Sequence, residues 1–206
     1  VMQSNADNVW IPMAEAPSQW TNQNGISRTF LAGDGGQTRV MSKTLIDVLK
    51  GLNTGSTADD DPRLMILSGG LNGNVDPLIQ AGMPNGLDAG TLDAYTGITS
   101  SNPNDLFSLI NNKLLDLADP YMVMSYSEVE FLQAEAKERN IGTVAGTAKS
   151  HYENGVKAAM QMYTPYDASL TVSDAAVAVY LAVPENVYTD GGPNALNMIG
   201  TQMWIS

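Results

Sequence analysis

The 206-residue chain carries 22 acidic and 10 basic residues, a formal charge of -12, and is 43% hydrophobic and 16% charged. That is a globular composition with enough apolar matter for one sizeable core or two small ones, while the acidic balance and the lack of any basic patch disfavour nucleic acid or an anionic bilayer as partner. No apolar run approaches the roughly 20 residues needed to cross a membrane, and the absence of cysteine excludes disulfides, thiolate metal sites and cysteine nucleophiles.

Residues 1–40 are polar, rich in Asn, Gly and Pro, and interrupted by Trp10 and Trp20. They hold neither a helical nor a strand period, which predicts loops with short strands. "SKTLIDVLKGLN" then offers an N-cap at Ser42, an apolar face of Leu45, Ile46, Leu49 and Leu52, and a closing glycine at 51. Between 54 and 103 glycine, proline and asparagine recur without a repeat, as in a long surface loop system. From Asp105 onward Leu106, Leu109, Ile110, Leu114 and Leu117 fall at helical spacing. "YMVMSYSEVEFLQAEAKERN", residues 121–140, reads as an amphipathic helix. "GTAKSHYENGVKAAMQMY" follows as another, with Tyr152, Val156, Ala159, Met160 and Tyr163 on one face. "SLTVSDAAVAVYLAVP" predicts a helix that starts near Ser169 or Thr171 and ends before Pro184. A last helix begins at Pro193, and its apolar residues Leu196, Ile199, Met203 and Trp204 are still running as the sequence stops. The lack of a start methionine and of a stop signal after Trp204 leads us to expect a piece of a longer protein. The fold class expected is mainly α.

Three groups of residues could carry chemistry. Winding 121–140 at about 100° per residue gathers Met124, Val129, Phe131, Leu132 and Ala136 into an apolar arc with Glu128 and Glu135 near its middle, and sets Glu130, Gln133 and Lys137 opposite. Two acids on a core stripe are either buried structural acids with partners, for which Arg63 is the first candidate, or a catalytic pair. Their axial separation of roughly 10.5 Å lies somewhat above the about 6.5 to 9.5 Å of inverting glycosidases, so a secreted glycan-cleaving enzyme is the rival reading. His151, the sole histidine, lies beside an apolar stripe and no nucleophile elbow accompanies it. "STADDDPR" sets Asp59, Asp60 and Asp61 densely enough to attract calcium, but without EF-hand spacing. "LAGDGGQT" lacks the lysine of a phosphate loop.

The third group is aromatic. Saccharide capture needs flat apolar rings beside groups that hydrogen-bond hydroxyls, and the loop-borne rings are Trp10, Trp20 and Tyr95. "SQWTNQNG" surrounds Trp20 with amides, so Asn22, Gln23 and Asn24 are the polar partners expected beside it. Trp204, Tyr126, Tyr152 and Tyr163 lie on helical faces and are expected in the core.

"SYSEVEFLQAEAKERN", then "HYENGVKAAMQMY", with "LIDVLKGLNTGSTADDDPRL" far upstream and "ALNMIGTQMWIS" at the end, is similar in order and spacing to the SusD/RagB-like outer-membrane nutrient-binding lipoproteins. The resemblance rests on Asp61, Pro62 and Arg63 after a short helix, on "SEVEFLQAEA" from Ser127 to Ala136, on Tyr152 and Gly155, and on "QMWIS" from Gln202 to Ser206. It covers most of the chain and concerns the central to C-terminal part of such a protein. It implies an α-helical scaffold of the SusD-like α-α superhelix type, here with a loop-rich, ligand-facing region at 1–104 and a helical array at 105–206. It further implies a non-enzymatic, surface-exposed protein of the outer membrane, held by a lipid anchor outside this chain. Such a protein would pass captured glycan or other nutrient to a TonB-dependent transporter of the SusC type, with no cofactor beyond a possible calcium. A protein-binding adhesion or assembly component is the blander alternative.

Overall fold

A computed structural model describes residues 1–17, 21–31, 39–51, 55–99 and 102–206. In chain order the elements are β1 (Val9–Ile11), α1 (Gly25–Leu31), α2 (Lys43–Leu49), α3 (Leu64–Leu67), β2 (Ser68–Gly70), α4 (Ala89–Thr96), α5 (Pro103–Leu106), β3 (Leu109–Ile110), β4 (Tyr121–Met124), α6 (Tyr126–Glu138), α7 (Ala148–Gln161), α8 (Asp174–Ala182) and α9 (Ala195–Ile205). Short 3-10 turns stand at Asn5–Asp7, Pro77–Ile79, Asn112–Leu114 and Pro184–Asn186. The fold is mainly α, as expected. The chain forms two compact units, one of Val1–Met13 with Pro120–Ser206, the other of Ala14–Asp119. This division does not follow the loop-rich and helical regions split at 104/105, because β1 is drawn from the N-terminal loops to pair antiparallel with β4, Ile11 opposite Tyr121 and Trp10 opposite Met122.

In the unit that holds the C-terminal helices, α6 packs on α7, α9 on α6 and α8 on α7. Each of α6, α7 and α8 starts at a hydroxyl that accepts an orphan amide of the first turn: Ser125 from Glu128, Thr147 from Ser150 and Ser173 from Ala176. The α6–α7 seam is built on Gly155. A Cβ there would come within 2.6 Å of the Phe131 ring, so the absence of a side chain lets the two backbones close over that ring. Phe131, Tyr152, Val156, Ala159 and Met160 are buried around it, and Tyr152 stacks on Tyr188 at 4.5 Å.

The seam corrects the sequence reading of α6 in two ways. The helix begins at Tyr126, not near 121, because Ser125 caps it and residues 121–124 alternate between exposed and half-buried as a strand. Its buried face is Ser127, Glu130, Phe131 and Ala134, and Leu132 is 43% exposed. The face was misplaced because α7 packs on the side of α6 where His151 meets Glu130 and Gly155 meets Phe131. Trp204 and Leu196 of α9 are likewise exposed, at 55% and 43%, contrary to the expectation that Trp204 is core. The α9 face that packs inward is Ala195, Ile199, Gln202 and Ile205.

The other unit has little periodic sequence, and side-chain hydrogen bonds do the work of secondary structure. α2 matches its expected start at Ser42, which accepts from the Leu45 amide at 3.2 Å, and its buried face at Ile46 and Leu49; Leu52 lies outside the described residues. α1 was not foreseen. It starts where the Asn24 side-chain oxygen accepts the amides of Ile26 and Ser27. Gln80 is the hub of the irregular stretch. Its oxygen accepts from the Ser68 and Ser108 hydroxyls at 3.0 and 2.7 Å, and its nitrogen donates to the carbonyls of Asn74 and Asp76. Leu106, Leu109, Ile110 and Leu114 do not continue as one helix. Pro103 starts a single turn, and Ile110 and Leu109 then pair with Ser68 and Gly70 of β2. Loop 80–83 lies so close to the start of α2 that a Cβ at Gly82 would fall 2.4 Å from the Ser42 carbonyl oxygen.

Candidate functional site

Of the three aromatic candidates, Trp20 lies outside the described residues. Trp10 is half-buried in β1 and meets Tyr166 edge-on at 5.8 Å. Tyr95 stands near the end of α4, 57% exposed, on a helix that Leu92, 2% exposed, roots in its unit. The amides expected beside Trp20 serve the fold. Asn22 donates to the carbonyls of Ala14 and Pro17 at 3.1 and 2.7 Å. Gln23, buried, donates to the Glu15 carbonyl and accepts from Arg28. Asn24 caps α1 and donates to the Asp119 carbonyl. Short polar side chains close turns by bonding nearby backbone, and that demand took these amides first.

The acids are also rearranged. Arg63 forms its ion pair with Asp61. It is fully buried beside Asp61, whose Oδ1 accepts from its amide and Nε at 2.8 and 3.0 Å while Oδ2 accepts from Nη2 at 2.6 Å. Within the Asp-Pro-Arg motif proline fixes the turn, and the guanidinium fork folds back onto the acid two residues earlier. Glu135 pairs with Arg139 one turn on, at 2.6 Å and partly exposed, and Glu128 is half-exposed at the start of α6. The buried acid of α6 is Glu130. Its Oε2 lies 2.7 Å from His151 Nδ1, and His151 Nε2 lies 2.7 Å from the Ala145 carbonyl. A carbonyl can only accept, so Nε2 carries a hydrogen, and a second hydrogen lies between imidazole and carboxyl. His151 therefore ties α6, α7 and the turn before α7 together. Tyr126 joins the same cluster: burial, and then its hydrogen bond to Glu130, push its phenol up to about 12. At the other end of α6 the Glu138 carboxylate accepts from the Tyr188 hydroxyl at 2.7 Å and from the Gly191 amide. Burial, with that bond second, raises the Tyr188 phenol.

Asp61 is committed to Arg63, and Asp60 is pushed up from its ordinary range by burial first and the neighbouring Asp59 second. Among the described residues no group of three or more His, Asp or Glu side chains converges as a metal would need.

Beside the Tyr126 cluster lies an open groove of about 290 Å³ lined by Gln3, Ser4, Asn5, Tyr126, Asn154, Lys157, Ala158 and Gln161. α7 supplies Asn154, Lys157, Ala158 and Gln161, which at intervals of three and four form one helical stripe. Gln3, Ser4 and Asn5, leading into the 3-10 turn, supply another wall, tied across by the Asn5 amide, which donates to the Ala158 carbonyl at 3.0 Å. Tyr126 was expected in the core; it is half-buried and walls this groove.

The fold has counterparts among solved structures. A family model described as starch-binding, associating with outer membrane, of the SusD-like type, matches residues 1–206. The chain belongs to the SusD-like family. Solved structures agree: a chitin-binding protein is 27% identical with a TM-score of 0.74, over 100% of this chain and 40% of that one. A Bacteroidetes SusD-like protein is 21% identical with a TM-score of 0.71 over 100% and 48%, and a SusD homologue from Bacteroides fragilis is 22% identical with a TM-score of 0.65 over 100% and 43%. This SusD-like chain therefore spans less than half the length of these relatives. No curated protein matches it. Among the described residues no helix is long and apolar enough to cross a membrane.

Proposed function

We propose that this SusD-like chain is part of a surface protein of the outer membrane that captures a glycan and hands it to a TonB-dependent transporter of the SusC type, without cleaving it. The observation that carries the reading is the match of all 206 residues to a family described as starch-binding and associating with outer membrane, joined by the 27% identity to a chitin-binding protein. Tyr95 is the ring best placed to take part, since it is exposed on a helix whose own apolar residue holds it in place. An exposed aromatic ring offers a flat apolar face on which a sugar can stack. A binder rather than an enzyme is favoured by the fate of the acids. Glu135 is held by Arg139 and Glu130 by His151, and the grooves at the C-terminal end of α6 are lined by Lys137, Glu138 and Asn140 rather than by Glu128 or Glu135.

The test is affinity electrophoresis of the full-length protein through gels containing single polysaccharides, followed by assay of the incubated sugars for new reducing ends. Retardation by a glycan with no new ends is the expected result. New reducing ends that vanish in Glu128→Gln would replace this reading with a hydrolase.

A further inference from the structure

We propose that the groove between Gln3–Asn5 and α7 is a binding subsite for an uncharged saccharide; the inference rests on the glycan-capture reading. The lining is the first argument. Asn154 is exposed with no hydrogen-bond partner among the described residues, and the Gln3 side chain is exposed beside it. The Asn5 amide nitrogen is spent on the Ala158 carbonyl, while its Oδ1 is buried and lacks a donor. Carboxamides donate and accept side by side, as vicinal sugar hydroxyls do.

The wall is the second argument. Tyr126 is held through its backbone, whose amide donates to Asn8 Oδ1 at 2.6 Å, and the residue is half-buried in the wall of the groove. Its ring offers a flat apolar face on which a sugar can settle. Charge is the third. Among the described residues lining the groove the one cation is Lys157, bridged to Asp174 at 3.0 Å, and Gln161 donates to the same carboxylate at 2.8 Å. Those two bonds, Gln161's first, hold the Asp174 carboxyl below its ordinary range, so it stays ionised and cancels the lysine. A neutral lining on a chain of net charge -12 selects against anionic polysaccharides.

The experiment compares full-length wild type, Asn154→Ala, Tyr126→Phe and Tyr126→Leu by affinity electrophoresis on neutral glycans, with dextran sulfate as the anionic control. Asn154→Ala should bind about fivefold more weakly, the loss of one or two hydrogen bonds. Tyr126→Phe and Tyr126→Leu both lose the hydroxyl, so equal thermal midpoints with retained binding in the first and about tenfold weaker binding in the second would isolate ring stacking. Retardation of wild type with Asn154→Ala and Tyr126→Leu unchanged overturns the subsite and leaves glycan capture standing. No retardation of wild type by any neutral glycan overturns both, and retention by dextran sulfate alone overturns the neutral class.

Discussion

At Asp61 and Arg63 two opposite charges sit where water does not reach, with side chains 2% and 0% exposed. Removing one partner strands the other, so Asp61→Ala should cost about 3 to 5 kcal/mol, read as a fall in denaturant midpoint at constant slope. Replacing both, as Asp61→Ala with Arg63→Met, should recover part of that loss, since neither charge is then left alone. Asp60, one residue earlier, behaves oppositely. Burial raises its folded pKa above the unfolded value, so it favours the fold while protonated, and that contribution is lost as pH rises through the folded value. Asp60→Asn should therefore stabilise the protein at pH 7, by under about 1 kcal/mol given its access to water, and the gain should vanish below about pH 4. A wild-type midpoint equal to that of the variant at both pH values would count against it. The Asp-Pro-Arg triplet was legible as a motif in the sequence, but its partner was not. A guanidinium can reach many places, and only the turn at Pro62 brings the carboxylate two residues back under its fork.

At the scale of elements, caps were the most readable feature. Ser42 and Pro184 bound their helices where the sequence placed them, because a hydroxyl at an N-cap and a ring without an amide act locally. Ser125→Ala should cost about 1 kcal/mol for the lost cap on Glu128, measurable as reduced thermal midpoint. The burial of Glu130 in place of Glu128 and Glu135 was not readable. Which face of α6 turns inward is settled by α7, whose Gly155 opens room for Phe131 and whose His151 meets the acid. Gly155→Ala should destabilise by about 1 to 3 kcal/mol through overpacking. Phe131→Leu in that background should cost less than the two separate changes added, since both act on the same gap. Additive losses would mean that the seam is not what glycine relieves.

At the scale of the molecule, glycan capture predicts that Tyr95→Ala weakens retardation of the full-length protein about tenfold, as loss of a stacking ring does, with thermal midpoint unchanged because the ring is exposed. Undiminished binding would move the site away from α4. The sequence by itself determined the mainly α class, the family, the caps of α2 and the buried face of α7, because each is written in short-range spacing that one element carries alone. Only the tertiary structure decided that β1 leaves the N-terminal loops for β4, that Gln80 orders the aperiodic stretch, that Asn22, Gln23 and Asn24 spend their amides on backbone, and that Tyr126 walls a groove. These depend on pairs far apart in sequence, as with Asn5 and Ala158 or Tyr126 and Asn8. Such pairs are chosen by which buried polar group finds a partner once the helices have packed, a competition that no local pattern records.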